Sequence, residues 1–170
     1  MSLVGRALVS CPLLLFTLTA SCQAPEPDFR EQNKEFVRGF YEALDAQDFE
    51  RLRAAVAPDL VIKVIGTDDT YPWAAVEDMI HMYYGAFEGY DHVLDHLIAE
   101  DDWVVARITY RGTHTGDFDG TPATGNAIRY GGTHILRIVD GVIGEFWYLE
   151  DDLRLMQQIG LGLVPVEAGS

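Results

Sequence analysis

The hydrophobic period of this chain changes once, and that change limits the folds open to it. Up to Gly89 the apolar residues recur at helical spacing, and beyond it they alternate. Phe36, Val37, Phe40, Tyr41 and Leu44 share one helical face, behind a capping-box pattern that starts at Asp28. Asp48 reads as the N-cap of a short second helix with Phe49, Leu52 and Val56 inward, stopped by Pro58. Val61 to Ile65 reads as a brief strand, and a third helix after Pro72 carries Trp73, Val76, Met79, Ile80, Tyr83 and Phe87 on one stripe. Then come His92–Ala99, Trp103–Tyr110, Ala127–Val139 and Val142–Leu149, four period-two runs, the last two joined by the hairpin signal Asp140-Gly141. Helices followed by consecutive antiparallel strands argue an α+β layer, not a doubly wound parallel sheet. Leu153–Ile159 reads as a closing helical turn.

The last strand carries the most informative acid. Counting by twos from Ile143 through Glu145, Trp147 and Leu149 puts Asp151 on the presumptive core side, beside a tryptophan, and no lysine follows Lys63. A carboxyl buried without a cationic partner is disfavoured in its charged form, the condition under which it works as an acid or base near neutral pH. The competing reading is a strand that ends at a solvated Asp151-Asp152 pair. The tripeptide Gly-Thr-His occurs at 112–114 and again at 132–134. By parity both His114 and His134 face the apolar side of their strands, where a histidine is more often a satisfied core residue than a catalyst.

Residues 1–21 form an address. Arg6 precedes an apolar stretch from Ala7 to about Leu18, shorter than the roughly 20 residues that span a bilayer. The small residues that follow run into Cys22, as in a bacterial lipoprotein signal, although Thr19 stands where such signals usually carry leucine. Of the two cysteines, Cys11 leaves with the signal, so the mature chain has no internal disulfide and Cys22 is expected to carry lipid. Simple secretion with a spare thiol and an uncleaved anchor are the alternatives. Residues 22–28 then form a proline-stiffened tether, 29–162 one domain and 163–170 a tail. Gln23 after the cysteine points to the outer membrane, so the expected location is the cell envelope. Loss of Arg6 takes the net charge from −15 to −16, which disfavours nucleic acid and anionic lipid as partners and leaves the lipid as the route to a membrane.

Metal and nucleotide chemistry find little in the sequence. The histidines at 81, 92, 96, 114 and 134 show no HExxH spacing, no GxxxxGK[ST] loop is present, and no GxSxG elbow offers a nucleophile. A pocket with acid–base groups and neither cofactor nor metal remains.

The segment GTHTGDFDGTPATG (112–125), the strand after it and EFWYLEDDLRLMQQIG (145–160) resemble the SnoaL-like polyketide cyclases, also called ester cyclases, of the nuclear-transport-factor-2-like superfamily. The resemblance spans about residues 30–162. It implies a cone in which a curved, mostly antiparallel sheet wraps the N-terminal helices around an apolar pocket for a small apolar or carbonyl-containing molecule. It also implies that Asp151 is the acid–base residue of an aldol-type cyclisation or isomerisation without cofactor. His134 and His114 are then the expected donors to the enolate oxygen, Tyr130 and Tyr148 the second choices, and Trp147 a pocket wall. Glu145 is expected to be a structural partner of Arg107 or Arg137. Relatives of this fold often dimerise through the outer face of the sheet, so a homodimer is an expected state. A non-catalytic small-ligand-binding lipoprotein of the same fold is the alternative function, because this fold also hosts binders.

Overall fold

The computed structural model describes residues 29–162. The signal, the tether with Cys22, the Asp28 cap and the tail lie outside the described residues. Four helices and six strands follow one another as α1 (Phe29–Asp45), α2 (Phe49–Ala55), β1 (Val61–Val64), β2 (Thr70–Pro72), α3 (Trp73–Ala86), β3 (Phe87–Glu100), β4 (Trp103–His114), β5 (Ala127–Val139), β6 (Val142–Glu150) and α4 (Asp152–Gln158). The strands form one sheet in the order β2-β1-β6-β5-β4-β3, antiparallel except for the β1–β6 pair. The expected α+β cone is the observed architecture.

The helices form where their apolar stripes and caps dictate. In α1, Val37, Phe40, Tyr41 and Leu44 recur every three or four residues, and all are buried against the sheet. The Asp48 carboxylate accepts the Arg51 amide at 3.1 Å and starts α2, which buries Leu52. β2, a three-residue edge strand absent from the sequence reading, pairs with β1 and delivers the chain to α3. The stripe of α3 behaves differently from an ordinary core stripe. Of its predicted members only Ile80 within the helix is fully buried, and Trp73, Val76, Met79 and Tyr83 line a cleft instead.

β5 and β6 are joined by a two-residue turn in which Asp140 and Gly141 both take positive φ, 51° and 81°, as this hairpin class requires. The register then slips. Arg137 pairs with Glu145 but Ile138 pairs with Ile143, which leaves Gly144 as the extra residue of a β-bulge. Ile143 and Phe146 therefore both point inward, three positions apart. From there the inward set is Phe146, Tyr148 and Glu150, while Glu145, Trp147, Leu149 and Asp151 fall on the outer face.

Candidate functional site

The bulge corrects two expectations. Asp151 does not face the interior: it is exposed, its amide donates to the Gly131 carbonyl at 2.9 Å, and its carboxylate caps α4 by accepting the Arg154 amide at 3.0 Å. Trp147 is not a pocket wall; it lies on the outer face with the Lys63 ammonium 4.4 Å above its ring. Glu145 is the structural partner it was expected to be, since Arg137 reaches it at 3.0 Å and also holds Asp102 at 2.7 Å. That guanidinium keeps the Glu145 carboxyl below its usual pKa.

The carboxylate that does face inward is Glu150. It lines a cleft bounded by α1, α3 and the concave face of the sheet, with about 720 Å³ of empty space including its mouth. Phe40, Leu44, Ile62, Val76, Ile80 and Phe146 make its walls largely apolar. The polar groups converge on one corner. Tyr110 Oη donates to Glu150 Oε1 at 3.0 Å and lies 2.9 Å from His134 Nε2, and His134 Nε2 lies 3.3 Å from the same oxygen. On the other side of the ring, Tyr41 Oη meets His134 Nδ1 at 2.5 Å.

These partners fix the proton positions. Glu150 only accepts, so Tyr110 and His134 Nε2 both give it hydrogens; Nδ1 must then accept from Tyr41. A neutral imidazole suits that arrangement, and burial holds His134 below the usual imidazole pKa despite Glu150 beside it. Burial, followed by the Glu150 charge, raises the hydroxyls of Tyr41 and Tyr110, so both remain donors. Gly132 makes the arrangement sterically possible. It pairs with Glu150 across the β5–β6 ladder, and a Cβ there would lie 2.9 Å from Tyr110 Cε2. The bare backbone lets the Tyr110 ring lie across β5 and reach the next strand.

The remaining predicted site residues separate. Tyr148 lines the cleft on the same face as Glu150, and burial pushes its hydroxyl up to about 12, so it stays a donor. Tyr130 is buried behind the cleft with its hydroxyl 2.6 Å from that of Tyr90, and its ring stacks on Tyr110 at 4.6 Å. His114 is fully buried, as its parity predicts, but away from the cleft: its Nδ1 meets Thr124 Oγ1 at 3.0 Å and its ring lies against Phe87. It packs the loop that follows β4 and brings no atom to Glu150 or His134. Sequence reasoning did not single out Glu150, Tyr41 or Tyr110, and all three line the cleft; of His81 and His92, which the family likeness sets near the pocket, His92 lines it.

This geometry has relatives. A family model described as SnoaL-like polyketide cyclase matches residues 34–159. AclR from Streptomyces galilaeus, a proposed hydroxylase, superposes with a TM-score of 0.72 at 26% identity, over 80% of this chain and 86% of its own. IdmH from Streptomyces antibioticus, a proposed polyketide cyclase, gives 0.69 at 27% identity, over 76% and 99%. A proposed SnoaL-like polyketide cyclase from Jannaschia sp. CCS1 shares the fold at 20% identity, with a TM-score of 0.70 over 83% and 100%. No protein of curated function matches the sequence. The family match covers most of the chain and most of the elements that build the cleft, and on it the chain belongs to the SnoaL-like polyketide cyclase family.

Proposed function

We propose that the cleft moves a proton on a largely apolar, carbonyl-bearing molecule without a cofactor, with Glu150 as the acid–base residue in place of Asp151. The observation that carries the reading is the asymmetry of this carboxylate. Oε1 is held by Tyr110 and His134, while Oε2 has no protein donor among the described residues and its side chain borders the cleft. A base needs one fixed side and one free side, and Glu150 has both.

In the proposed reaction Glu150 takes a proton from the carbon next to a carbonyl, and the electron pair moves onto the carbonyl oxygen. Tyr148, two residues earlier on the same face and without a protein hydrogen bond among the described residues, donates to that oxygen. In an aldol-type closure the carbanion carbon then bonds to a second carbonyl carbon, and the resulting alkoxide takes the proton back from Glu150. In an isomerisation the proton returns to a different carbon. His134 is a positioning residue here, because both its nitrogens are occupied. The likeness to IdmH, a proposed polyketide cyclase, supports a role on polyketide-like carbonyl compounds.

The test is solvent deuterium incorporation next to the carbonyl of β-tetralone, followed by NMR. The wild-type protein is expected to accelerate exchange, and Glu150→Gln to lose about 100-fold or more of that acceleration. No acceleration by the wild type, or full activity in Glu150→Gln, overturns the reading. Export and lipidation of Cys22 belong to the same proposal, and the mass of the membrane-extracted protein tests them directly.

A further inference from the structure

A second histidine faces the same cleft in the opposite protonation arrangement. His92, near the start of β3, lines the wall next to Tyr41 and Tyr110, with ring centroids 5.6 and 5.1 Å away. Its Nδ1 lies 2.6 Å from Asp45 Oδ1 at the C-terminal end of α1. The same carboxylate also accepts the His92 amide at 3.2 Å and the Tyr84 hydroxyl at 2.9 Å. Burial raises the Tyr84 hydroxyl above its ordinary pKa, so it keeps the proton that it donates. All three groups give hydrogens to Asp45, and the neutral imidazole is therefore protonated on Nδ1, with its lone pair on Nε2.

That nitrogen has no protein partner among the described residues, and the buried unpartnered side-chain atoms among them are limited to His114 Nε2. His92 Nε2 is thus left open to the cleft rather than sealed in the core. His134 has no comparable free lone pair, since Tyr41 uses Nδ1 and the Nε2 hydrogen is directed at Glu150 and Tyr110. The two histidines divide the work: one ties down the carboxylate and the other offers an acceptor to whatever enters.

We propose that His92, held by Asp45, is a specificity residue that accepts a hydrogen bond from a substrate hydroxyl, so the cleft selects hydroxylated carbonyl compounds over their deoxy analogues. The proposal rests on the carbonyl-binding reading of the cleft, and adds a second polar group that the substrate must carry. An acceptor fixed by a carboxylate on a packed helix loses its water to the ligand. A ligand without a matching donor leaves it unpaired, and such sites discriminate strongly. Asp45 acts through His92 as a positioning residue: it sets the ring angle and the tautomer.

The experiment compares binding of β-tetralone with each of its ring-hydroxylated positional isomers by calorimetry. At least one isomer is expected to bind the wild type about tenfold or more tightly than the parent, with that ratio falling to within about twofold in His92→Leu. Asp45→Ala is expected to reduce the ratio, and Asp45→Asn, whose amide oxygen still accepts from Nδ1, to restore most of it. Long-range nitrogen–proton NMR should report an Nδ1–H tautomer for His92 and an Nε2–H tautomer for His134, and this check requires neither ligand nor His92 variant. An Nε2–H tautomer at His92 overturns the proposal, as does a wild type that prefers no isomer or a ratio that survives in His92→Leu. Failure of the exchange reaction on the parent ketone is a separate result, because that readout depends on Glu150 and the binding ratio does not.

Discussion

Replacing Tyr41 by Phe removes one oxygen and leaves the shape of the core unchanged, which makes it a clean probe of the buried strut behind Glu150. Tyr41 is 2% exposed and His134 6%. Without the hydroxyl, His134 Nδ1 keeps a lone pair in a dry environment. Moving the proton to Nδ1 gives no relief, since it would deprive Glu150 of a donor and point a hydrogen at a phenyl edge. The cost is that of an unsatisfied buried acceptor, about 1–3 kcal/mol, so a loss of about 2 kcal/mol is expected. With a urea m-value of about 2 kcal/mol/M for a domain of this size, the unfolding midpoint should fall by about 1 M. A His134→Leu background supplies the control. There the acceptor is gone, and adding Tyr41→Phe should cost under about 0.5 kcal/mol, so the cycle should show coupling of about 1.5 kcal/mol. Equal costs in the two backgrounds would refute the hydrogen-bond assignment and leave Tyr41 as simple packing.

Three further outcomes follow from the same geometry. Gly132→Ala places a Cβ within 3.1 Å of both the Tyr110 ring and the Leu149 carbonyl, so the ring must move; a loss of about 1–3 kcal/mol in chemical denaturation is expected, together with reduced proton exchange as Tyr110 leaves Glu150. Asp151→Ala should cost about 1 kcal/mol through the lost α4 cap while the exchange rate stays at the wild-type level, and a large fall in rate would return Asp151 to the reaction. His134 is held neutral by burial, so between its depressed folded pKa and about 6.5 the unfolded chain binds more protons than the folded one. This residue's contribution is therefore present above about pH 6.5 and is lost as pH falls below it, and the slope of stability against pH in that window should flatten in His134→Leu.

The helical half of the fold was legible because its signals are local. The Asp48 cap, the α1 stripe and the Pro72 boundary each sit within a few residues of what they control. The strands were legible too, as alternation and as the Asp140-Gly141 turn. What failed was parity along β6, and the cause is visible in the chain: Gly144, a glycine inside a strand pattern just past a tight turn, marks a bulge. Counting across it without a slip sends Asp151 and Trp147 inward and Glu150 outward, the reverse of the structure. Tyr41 was read as part of an apolar stripe, which it is; its hydroxyl acquires a role only because β5 brings His134 to it from 93 residues away. The Asp45–His92 contact joins the end of α1 to β3 across 47 residues, and nothing in either local sequence announces it.

The bulge at Gly144 thus decides which carboxylate of β6 faces the cleft. The family motif around Glu145, Trp147 and Asp151 is a scaffold in this chain: Glu145 with Arg137 and Lys63 laces the outer face, Trp147 stacks under Lys63, and Asp151 starts the helix that closes the sheet. Those contacts fix the register of β6 against β1 and β5, and the register presents Phe146, Tyr148 and Glu150 to the cleft in order. The two sets alternate along one strand, so the outer side chains lace β6 to its neighbours while the inward ones border the cleft. The same alternation explains how a motif can identify the family from sequence while the residues that line the cleft, Tyr148 and Glu150, lie one position away from it.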